Sequence, residues 1–447
     1  MRTGSILAGT CFIAALTAAA FAGSPGPAAA AVTYSCTGSA SVDEATLQPL
    51  IAAGDSIALR GPASCAGNYV ADGVTVTITG AGRGATMDGG GTGSILLLDD
   101  ATVALVNLTL TNGNGSGPDE PGDPSGANGG AVSMTDSTLT VTGCRLVGNR
   151  AGDQGGAIHA AESELTVTAS TISDNTSEEG GGGIDADDDV DLAISKSTVS
   201  GNATGPHGGG VELFDGTLTV TGSTISGNRL TDTTDFRSGA GIWTGLSVVS
   251  IAGSTVKGNV SPEFGGGIGF SGGPGSSLTI RGSIVTGNRA TVGGGGIRND
   301  AYYGDAPLVV DHSTVTGNFA GQGGGIDAYA LHGFTSSVSL TSSSVAMNRA
   351  PGGLGGGVDG YVDPSGGATT IDVASTTVAG NQAAFGGGIA ATGAYGSAAV
   401  TLRPGATLVG NSAQFDGGGV YTRDGATLAF VPGIVMRLNF PDNVAAG

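Results

Sequence analysis

Charged side chains that could carry catalysis recur at one position of a repeated phrase. A run of the form Gly-Gly-(Gly/Ala)-(Ile/Val), or its variant Gly-Ala-Gly-Ile, occurs eleven times, and the residue after it is Arg298, Asp327 and Asp359 in three later copies. Carboxylates on adjacent repeats can act as general acid and base if their separation suits the mechanism. Arg298 is the basic residue at the centre of this acidic stripe. We therefore take these three residues as the catalytic candidates.

Aromatic residues gather at the same position, two residues beyond it and in the loops that follow. The candidates for ligand binding are Trp243, Tyr302, Tyr303, Tyr329, Tyr361 and Tyr421. Aromatic faces bury the apolar C–H surface of sugar rings, and flanking carboxylates accept hydrogen bonds from hydroxyl groups. The alternative is that these tyrosines only cover sheet edges and loop backbone. The sequence leaves both interpretations open.

The densest acidic run is "DADDDVD", residues 185–191. Its carboxylates Asp185, Asp187, Asp188 and Asp189 could hold Ca²⁺, which takes six to eight oxygen ligands from flexible loops. The run could equally be a solvated acidic turn or contribute to catalysis. No complete calcium-binding motif surrounds it. We therefore expect no cofactor other than a Ca²⁺ ion held by this run.

The repeats determine which fold positions these residues. An asparagine recurs every 26 to 33 residues, at Asn149, Asn175, Asn202, Asn228, Asn259, Asn288, Asn318, Asn348, Asn381 and Asn411. Alternating runs such as "LTVTGS" (218–223) lie between the phrases and have the period of two that indicates strands. Units of this size cannot bury their own apolar face, so they must stack. We predict an all-β, single-domain, right-handed parallel β-helix of about 13 coils.

One copy, "STVTGN" at residues 313–318, shows how each position is used. Ser313 and Val315 are predicted to point inward, Gly317 to permit a left-handed turn, and Asn318 to join a ladder of asparagines at the corner. Cys144 occupies the position that is serine in other coils, so we expect a buried, inert thiol.

Composition excludes several classes of partner. The chain has 447 residues and a net charge of −21, with 16 basic against 37 acidic residues. Nucleic acids and anionic membranes need clustered lysine and arginine, so we expect neither as a partner. No stretch beyond the N-terminus approaches the roughly 18 apolar residues of a membrane span. We expect a monomer.

The N-terminal residues indicate export. An apolar run at residues 6–22 precedes a Gly/Pro break and four alanines at 28–31, which predicts a signal peptide over 1–31. An N-terminal cap is expected over 32–72, with one helix within 41–54, before the repeat domain of 73–447. Cys36 and Cys65 bracket this helix and are predicted to form a disulfide, since exported proteins meet an oxidising compartment. The expected location is extracellular or at the cell surface.

The repeated phrases also resemble a known family. "GGAI" at 155–158, with its partnering x-x-Asn phrase, looks like the polymorphic outer membrane protein repeat, in which GGAI is joined to FxxN. Here Ile172, Val199 and Ile225 replace the phenylalanine. "GVTVTITGAGRGATMDGGG" (73–91) and "VALVNLTLTNG" (103–113) resemble the opening coils of pectin-lyase-like β-helix proteins. The resemblance covers about residues 70–440 and implies an architecture shared by adhesins, lyases and hydrolases.

Two functions follow from these patterns. The preferred one is a non-enzymatic protein that binds a polysaccharide or a cell-surface glycan through its aromatic stripe. The other is an extracellular polysaccharide lyase or glycoside hydrolase. Neutral glycans are the expected ligands, because a protein of charge −21 repels polyuronates unless Ca²⁺ bridges the two sets of carboxylates.

Overall fold

A computed structural model describes residues 31–115, 127–232 and 238–447. Over these residues the chain is a right-handed parallel β-helix of about 13 coils, as the sequence predicts. Apart from Ala31, the expected signal peptide over 1–31 lies outside the described residues. No helix within the described ranges has both the length and the apolar character needed to cross a bilayer.

The largest sheet contains two ladders of parallel strands, because most coils contribute one strand to each ladder. Three longer strands belong to both ladders and so join them into one sheet. The ladder that carries the sequence stripe contains Tyr69–Asp72, Leu96–Asp99, Val132–Thr135, Ile158–Ala161, Ile268–Ser271, Ile297–Ala301, Ile326–Ala330, Val358–Val362, Ile389–Thr392, Val420–Arg423 and Val444–Ala446. The other ladder contains Val32–Ser35, Ser56–Arg60, Thr75–Gly80, Thr102–Val106, Thr138–Thr142, Glu164–Thr168, Ser277–Arg281, Ala306–Asp311, Thr335–Thr341, Ala368–Ala374, Ser397–Leu402 and Thr427–Phe430. The joining strands are Ile184–Ser195, Val211–Thr221 and Ile242–Ala252.

A second sheet faces the first across the core. Its strands are Cys65–Ala66, Ala85–Asp88, Leu108–Thr111, Arg145–Val147, Thr171–Ser173, Thr198–Ser200, Thr224–Ser226, Thr255–Lys257, Ile284–Thr286, Thr314–Thr316, Ser344–Ala346, Thr377–Ala379, Thr407–Val409 and Val435–Arg437. Three small sheets form the third side: Asn114–Gly115 with Arg150–Ala151; Ala203–Thr204, Arg229–Leu230, Val260–Ser261 and Arg289–Ala290; Arg349–Leu354, Gln382–Phe385 and Ser412–Asp416.

Side chains alternate between core and surface as the period of two requires. Val315 is fully buried, and it pairs in register with Val285 and Val345, so aliphatic residues stack on aliphatic residues along the interior. Thr314 and Thr316 on the same strand are only half-buried. Gly317 has φ +65°, the left-handed conformation expected at this turn.

The asparagines form the predicted ladder at one corner. Asn318 Oδ1 accepts hydrogen bonds from the backbone N–H of Asn288, at 2.9 Å, and from its Nδ2, at 3.1 Å. Asn318 Nδ2 donates to the Val285 carbonyl at 3.0 Å and to Asn348 Oδ1 at 3.0 Å. The ladder continues to Asn439, one coil beyond the asparagines that the sequence pattern identified. Each rung therefore ties the backbones of successive coils together.

A parallel column of serines lies at the next corner, and Cys144 occupies its first place. The backbone N–H of Cys144 donates to Ser170 Oγ at 3.0 Å, and its thiol lies 3.4 Å from the Leu105 carbonyl oxygen. The thiol is buried and not in a disulfide, and burial raises its pKa. The expectation of a buried, unreactive thiol agrees with this environment.

The N-terminal end of the solenoid is closed by the helix Ala40–Ala52, which lies where the sequence predicts one. Asp43 is buried at its first turn, and its carboxylate accepts hydrogen bonds from the Tyr34 hydroxyl and from the backbone of Ala66. Cys36 and Cys65 form the predicted disulfide, with Cα atoms 4.6 Å apart. The parallel pairing begins before residue 73, because Val32–Ser35 pairs with Ser56–Arg60, which in turn pairs with Thr75–Gly80.

The ladder predicts a large cost for losing one rung. Asn318→Ala leaves the buried N–H of Asn288 and the Val285 carbonyl without their partners, so we expect the free energy of unfolding to fall by at least about 3 kcal/mol. Thr316→Ala, a half-buried neighbour on the outer face, is the matched control and should change it by less than about 0.5 kcal/mol. Denaturant unfolding followed by circular dichroism measures both. Equal losses in the two variants would contradict a structural ladder.

Candidate functional site

The stripe identified in the sequence forms the floor of a long groove on the outer face of the solenoid. Arg298 pairs in register with Asp327, and Asp327 with Asp359. These side chains point away from the core, yet they are buried, and Asp327 and Asp359 are at most 1% exposed. The sequence placed them correctly on the outer face but did not reveal that the preceding chain segment covers them.

Glycine explains this burial. Gly181 and Gly323 both have positive φ, and a Cβ on either would overlap with the side chain of Asp185 or Asp327, respectively. Only a residue without a side chain lets the segment before the strand fold down against the stripe. The recurrent glycines therefore build the groove as well as the turn.

Two walls enclose the floor. The residue before the first glycine of each phrase forms one wall and bridges to the next coil, as in Phe264, Gly293 and Gln322. The other wall consists of the loops that leave the stripe strands. Between Arg298 and Arg423 the walls and floor surround a cavity of about 670 Å³, lined by Phe264, Val292, Arg298, Asp300, Tyr302, Gln322, Tyr329, Leu331, Tyr361, Asp363 and Arg423.

Arg298 is the central charge of this cavity. Its Nε donates to Asp300 Oδ1 at 2.7 Å, and its Nη1 forms an ion pair with Asp327 Oδ2. Its guanidinium lies between two aromatic rings, 4.1 Å from the centroid of Tyr329 and 4.6 Å from that of Phe264. Desolvation lowers the pKa of Arg298, but Asp300 and Asp327 outweigh that effect and raise it. Arg298 therefore stays charged and held in one orientation.

The carboxyl groups around Arg298 are not equivalent. Burial raises the pKa of Asp300 to about 6, and the attraction of Arg298 only partly offsets it. Burial and the neighbouring charge of Asp327 raise the pKa of Asp359 well above its ordinary value. Neither carboxyl oxygen of Asp359 makes a hydrogen bond to the described residues. Burial therefore favours the neutral form of Asp359, which lies beneath the cavity without lining it.

Tyr329 and Tyr361 form an aromatic surface above these charges. They pair in register, and their rings stack with centroids 5.6 Å apart. The Tyr329 hydroxyl donates to Asp363, which also accepts hydrogen bonds from the backbone and hydroxyl of Ser365 at 2.9 and 2.8 Å. Burial, with the hydrogen bond to Asp363, raises the pKa of Tyr329. The hydroxyl thus remains a donor at any physiological pH.

A second, smaller cavity of about 350 Å³ lies toward the N-terminal end of the groove. It is lined by Gln154, Asp187, Asp188, His207, Glu212, Phe214, Trp243 and Tyr303. A chain of aromatic contacts runs from it toward the first cavity. Its rings belong, in order, to His207, Trp243, Phe214, Tyr303, Tyr302 and His332. The centroids of successive rings are 5.0, 6.2, 5.8, 4.8 and 5.5 Å apart.

The structure separates the six aromatic residues proposed as ligand contacts. Tyr302, Tyr329 and Tyr361 line the larger cavity, and Trp243 and Tyr303 line the smaller one. Tyr421 lies in neither, because its ring packs in a small apolar cluster with Leu354 and Phe385. Of the three catalytic candidates, Arg298 lines the cavity, whereas Asp327 and Asp359 lie under it.

Several residues of the larger cavity were not singled out from the sequence. Asp300 and Arg423 lie two residues beyond the stripe residues Arg298 and Tyr421, so their alignment with Tyr329 and Tyr361 could have identified them. Phe264 and Gln322 come from the wall that precedes the glycines. The repeat pattern does not predict how that segment folds over the stripe, so it could not place these two residues in the cavity.

Only two aspartates of the acidic run belong to a cluster of potential metal ligands. Asp185 and Asp187 lie with His159 of the preceding coil, and their potential ligand atoms are within 4.8 Å of one another. Asp188 and Asp189 adopt positive φ, at +59° and +61°, where the pairing with the next strand shifts register. They do not belong to this cluster. The four aspartates proposed as a calcium site are thus divided between two environments.

The groove therefore provides stacked aromatic rings, a fixed arginine and buried carboxyl groups. Stacked tyrosines can hold the apolar face of a ring-shaped ligand, and the polar groups beside them can orient its hydroxyl groups.

The raised pKa of Asp300 predicts a pH-dependent stability. An unfolded aspartate titrates near pH 4, so the folded state binds this proton more tightly, and the stability it contributes is complete below about pH 4 and lost as pH rises to about 6. Asp300→Asn removes this dependence. Relative to wild type, we expect the variant to gain about 3 kcal/mol between pH 4 and pH 7. Asp100→Asn, which changes an exposed carboxylate, is the control. Parallel pH profiles of melting temperature for wild type and Asp300→Asn would contradict the expectation.

A match to a family model supports the architecture over part of the chain. A family model described as "Right handed beta helix region" matches residues 72–256. The A-module of mannuronan C-5 epimerase AlgE6 from Azotobacter vinelandii is 12% identical, with 90% of this chain and 95% of that chain covered and a TM-score of 0.30. No curated protein sequence matches the chain. The chain is similar to right-handed β-helix proteins over the matched residues, and its activity must be argued from its own groove.

Proposed function

We propose that this chain is a secreted or cell-surface protein that binds a glycan along its outer groove, with the cavity around Tyr329 and Tyr361 as the principal binding site. The observation that carries the proposal is the in-register stack of these two rings beside Arg298, in a cavity of about 670 Å³. Cavities of 300 to 1,000 Å³ lined by aromatic side chains with a few fixed polar groups are typical binding sites. The chain of aromatic contacts extends the same groove over several coils, which suits a polymer.

The charges favour a neutral glycan. Arg298 is already paired with Asp300 and Asp327, and burial favours the neutral form of Asp359 by raising its pKa, so the floor offers little unpaired charge to an ionic ligand. The chain as a whole carries a net charge of −21, which opposes the approach of polyanions. Sugar hydroxyl groups can instead accept hydrogen bonds from Arg298 and Arg423 and donate them to Asp300.

The proposed location rests on the sequence. The apolar run at residues 6–22 and the alanines at 28–31 support export, and the disulfide between Cys36 and Cys65 suits an oxidising compartment. The likeness of the repeats to those of polymorphic outer membrane proteins supports a surface role. We propose that the protein acts there as a monomer.

One observation favours a second function, cleavage of the bound glycan by a lyase or glycoside hydrolase. Asp300 lines the cavity, and burial raises its pKa to about 6, which places it in the range of an acid or base at neutral pH. Arg298 holds its carboxyl group at 2.7 Å. Asp300 is therefore a better placed proton donor or acceptor than Asp327 or Asp359, which the floor covers.

Ligand binding should depend on the two stacked tyrosines. Tyr329→Ala and Tyr361→Ala each remove one aromatic face, so we expect each to weaken retention of the glycan at least tenfold, corresponding to about 1.4 kcal/mol. Phe430→Ala, an exposed aromatic on a strand outside the groove, is the matched control and should bind like wild type. Affinity is measured on a panel of neutral glycans and polyuronates, with added calcium or with chelator.

The same panel separates the two functions when the reaction mixtures are analysed for shortened chains. Retention that depends on Tyr329 and Tyr361 without any product supports a binding protein. Products that disappear in Asp300→Asn, while retention persists, would establish the enzyme and overturn the preferred proposal. Retention unchanged in both tyrosine variants would place the binding site elsewhere.

A further inference from the structure

A second group of side chains in the groove has the composition of a metal site. His159 lies on the strand Ile158–Ala161 and pairs in register with Asp185, whose strand also carries Asp187. One potential ligand atom from each residue lies within 4.8 Å of the other two, and no other such group of histidine, cysteine, aspartate or glutamate occurs among the described residues. The group is four coils away from Arg298 along the groove.

Asp185 has an unused oxygen in this group. The carboxyl group is fully buried, and its Oδ2 is 2.9 Å from His159 Nδ1. Its Oδ1 has no hydrogen-bond partner in the described part of the chain. Gly180 lies beside that oxygen, and a side chain at this position would crowd it, since a Cβ there would be 3.3 Å away. A buried carboxyl oxygen with no partner is costly, and a bound cation would remove this cost.

Asp187 adds a second carboxyl group that faces the first. Asp187 is half-buried, and one of its carboxyl oxygens lies within 4.8 Å of potential ligand atoms of Asp185 and His159. Two carboxylates so close repel each other, and a divalent cation between them removes this repulsion by attracting both.

We propose that His159, Asp185 and Asp187 bind one divalent first-row transition-metal ion, Zn²⁺ or Mn²⁺. One imidazole nitrogen with two carboxylates is a mixed N/O donor set of the kind these ions accept. Calcium requires six to eight oxygen ligands, and Asp188 and Asp189 of the acidic run do not join the group.

The ion can enter from the smaller cavity. Asp187 is half-buried and lines that cavity of about 350 Å³, whereas His159 and Asp185 lie behind it, with side chains 7% and 0% exposed. Three protein ligands with one side facing solvent leave at least one coordination position for water or for a bound ligand. The site is thus separate from the glycan cavity and does not depend on the glycan proposal.

Calorimetric titration of the chelator-treated full chain with Zn²⁺, Mn²⁺ and Ca²⁺, each alone, tests the proposal. We expect one saturable site per chain for Zn²⁺ or Mn²⁺, at least tenfold tighter than any site for Ca²⁺. Asp187→Asn and His159→Gln should each weaken it at least tenfold. Asp189→Asn, an exposed aspartate two residues from Asp187, is the matched control and should leave it unchanged.

A spectroscopic measurement keeps the test valid if one variant fails to fold. Pulsed electron paramagnetic resonance of the Mn²⁺-loaded wild-type protein should show coupling to one imidazole nitrogen. Circular dichroism should show that Asp187→Asn keeps the β-helix, because this residue is half-buried. Absence of saturable binding, saturable Mn²⁺ binding without the nitrogen coupling, equal affinity for Ca²⁺, or unchanged affinity in Asp187→Asn would each overturn the proposal.

Discussion

The structure depends on one constraint: residues of the same type must stack in register from one coil to the next. Asn318 illustrates it, because each asparagine bonds both the backbone and the side chain of its neighbour one coil earlier. A coil that slipped by one residue would break these bonds and turn its core side chains toward solvent. The ladder therefore fixes the register of every other column, including those that form the groove.

Because the register is fixed, side chains at the same repeat position form a continuous column along the groove. Because Arg298, Asp327 and Asp359 occupy the same position in successive coils, their charges approach one another at the spacing of neighbouring strands, roughly 4.8 Å. Like charges so close in a buried floor disfavour one another's ionised forms, and opposite charges favour them. The charge of Asp327 therefore raises the pKa of both neighbours, Asp359 and Arg298.

The fold could be predicted from the sequence because each coil repeats the same signals. Alternation, the asparagine and the glycine phrase all recur, so Val315 and Asn318 could be placed with no structure. The site could be predicted only where it follows the repeat, as Tyr329 and Tyr361 do. Phe264 and Asp363 come from segments that vary between coils. The division of the acidic run needed the backbone itself, since Asp188 and Asp189 lie in left-handed conformations at a register shift.

Burial distinguishes the side chains that only orient others in the groove from the side chains that a ligand can contact. Asp327 lies under the floor and orients Arg298, so a ligand meets the arginine only after most of its charge has been neutralised. The rings of Tyr329 and Phe264 both pack against its guanidinium, with centroids 4.1 and 4.6 Å from the central carbon. An anionic ligand would have to compete with two carboxylates already in contact. A sugar needs only hydrogen bonds and an aromatic face, and this part of the groove supplies both.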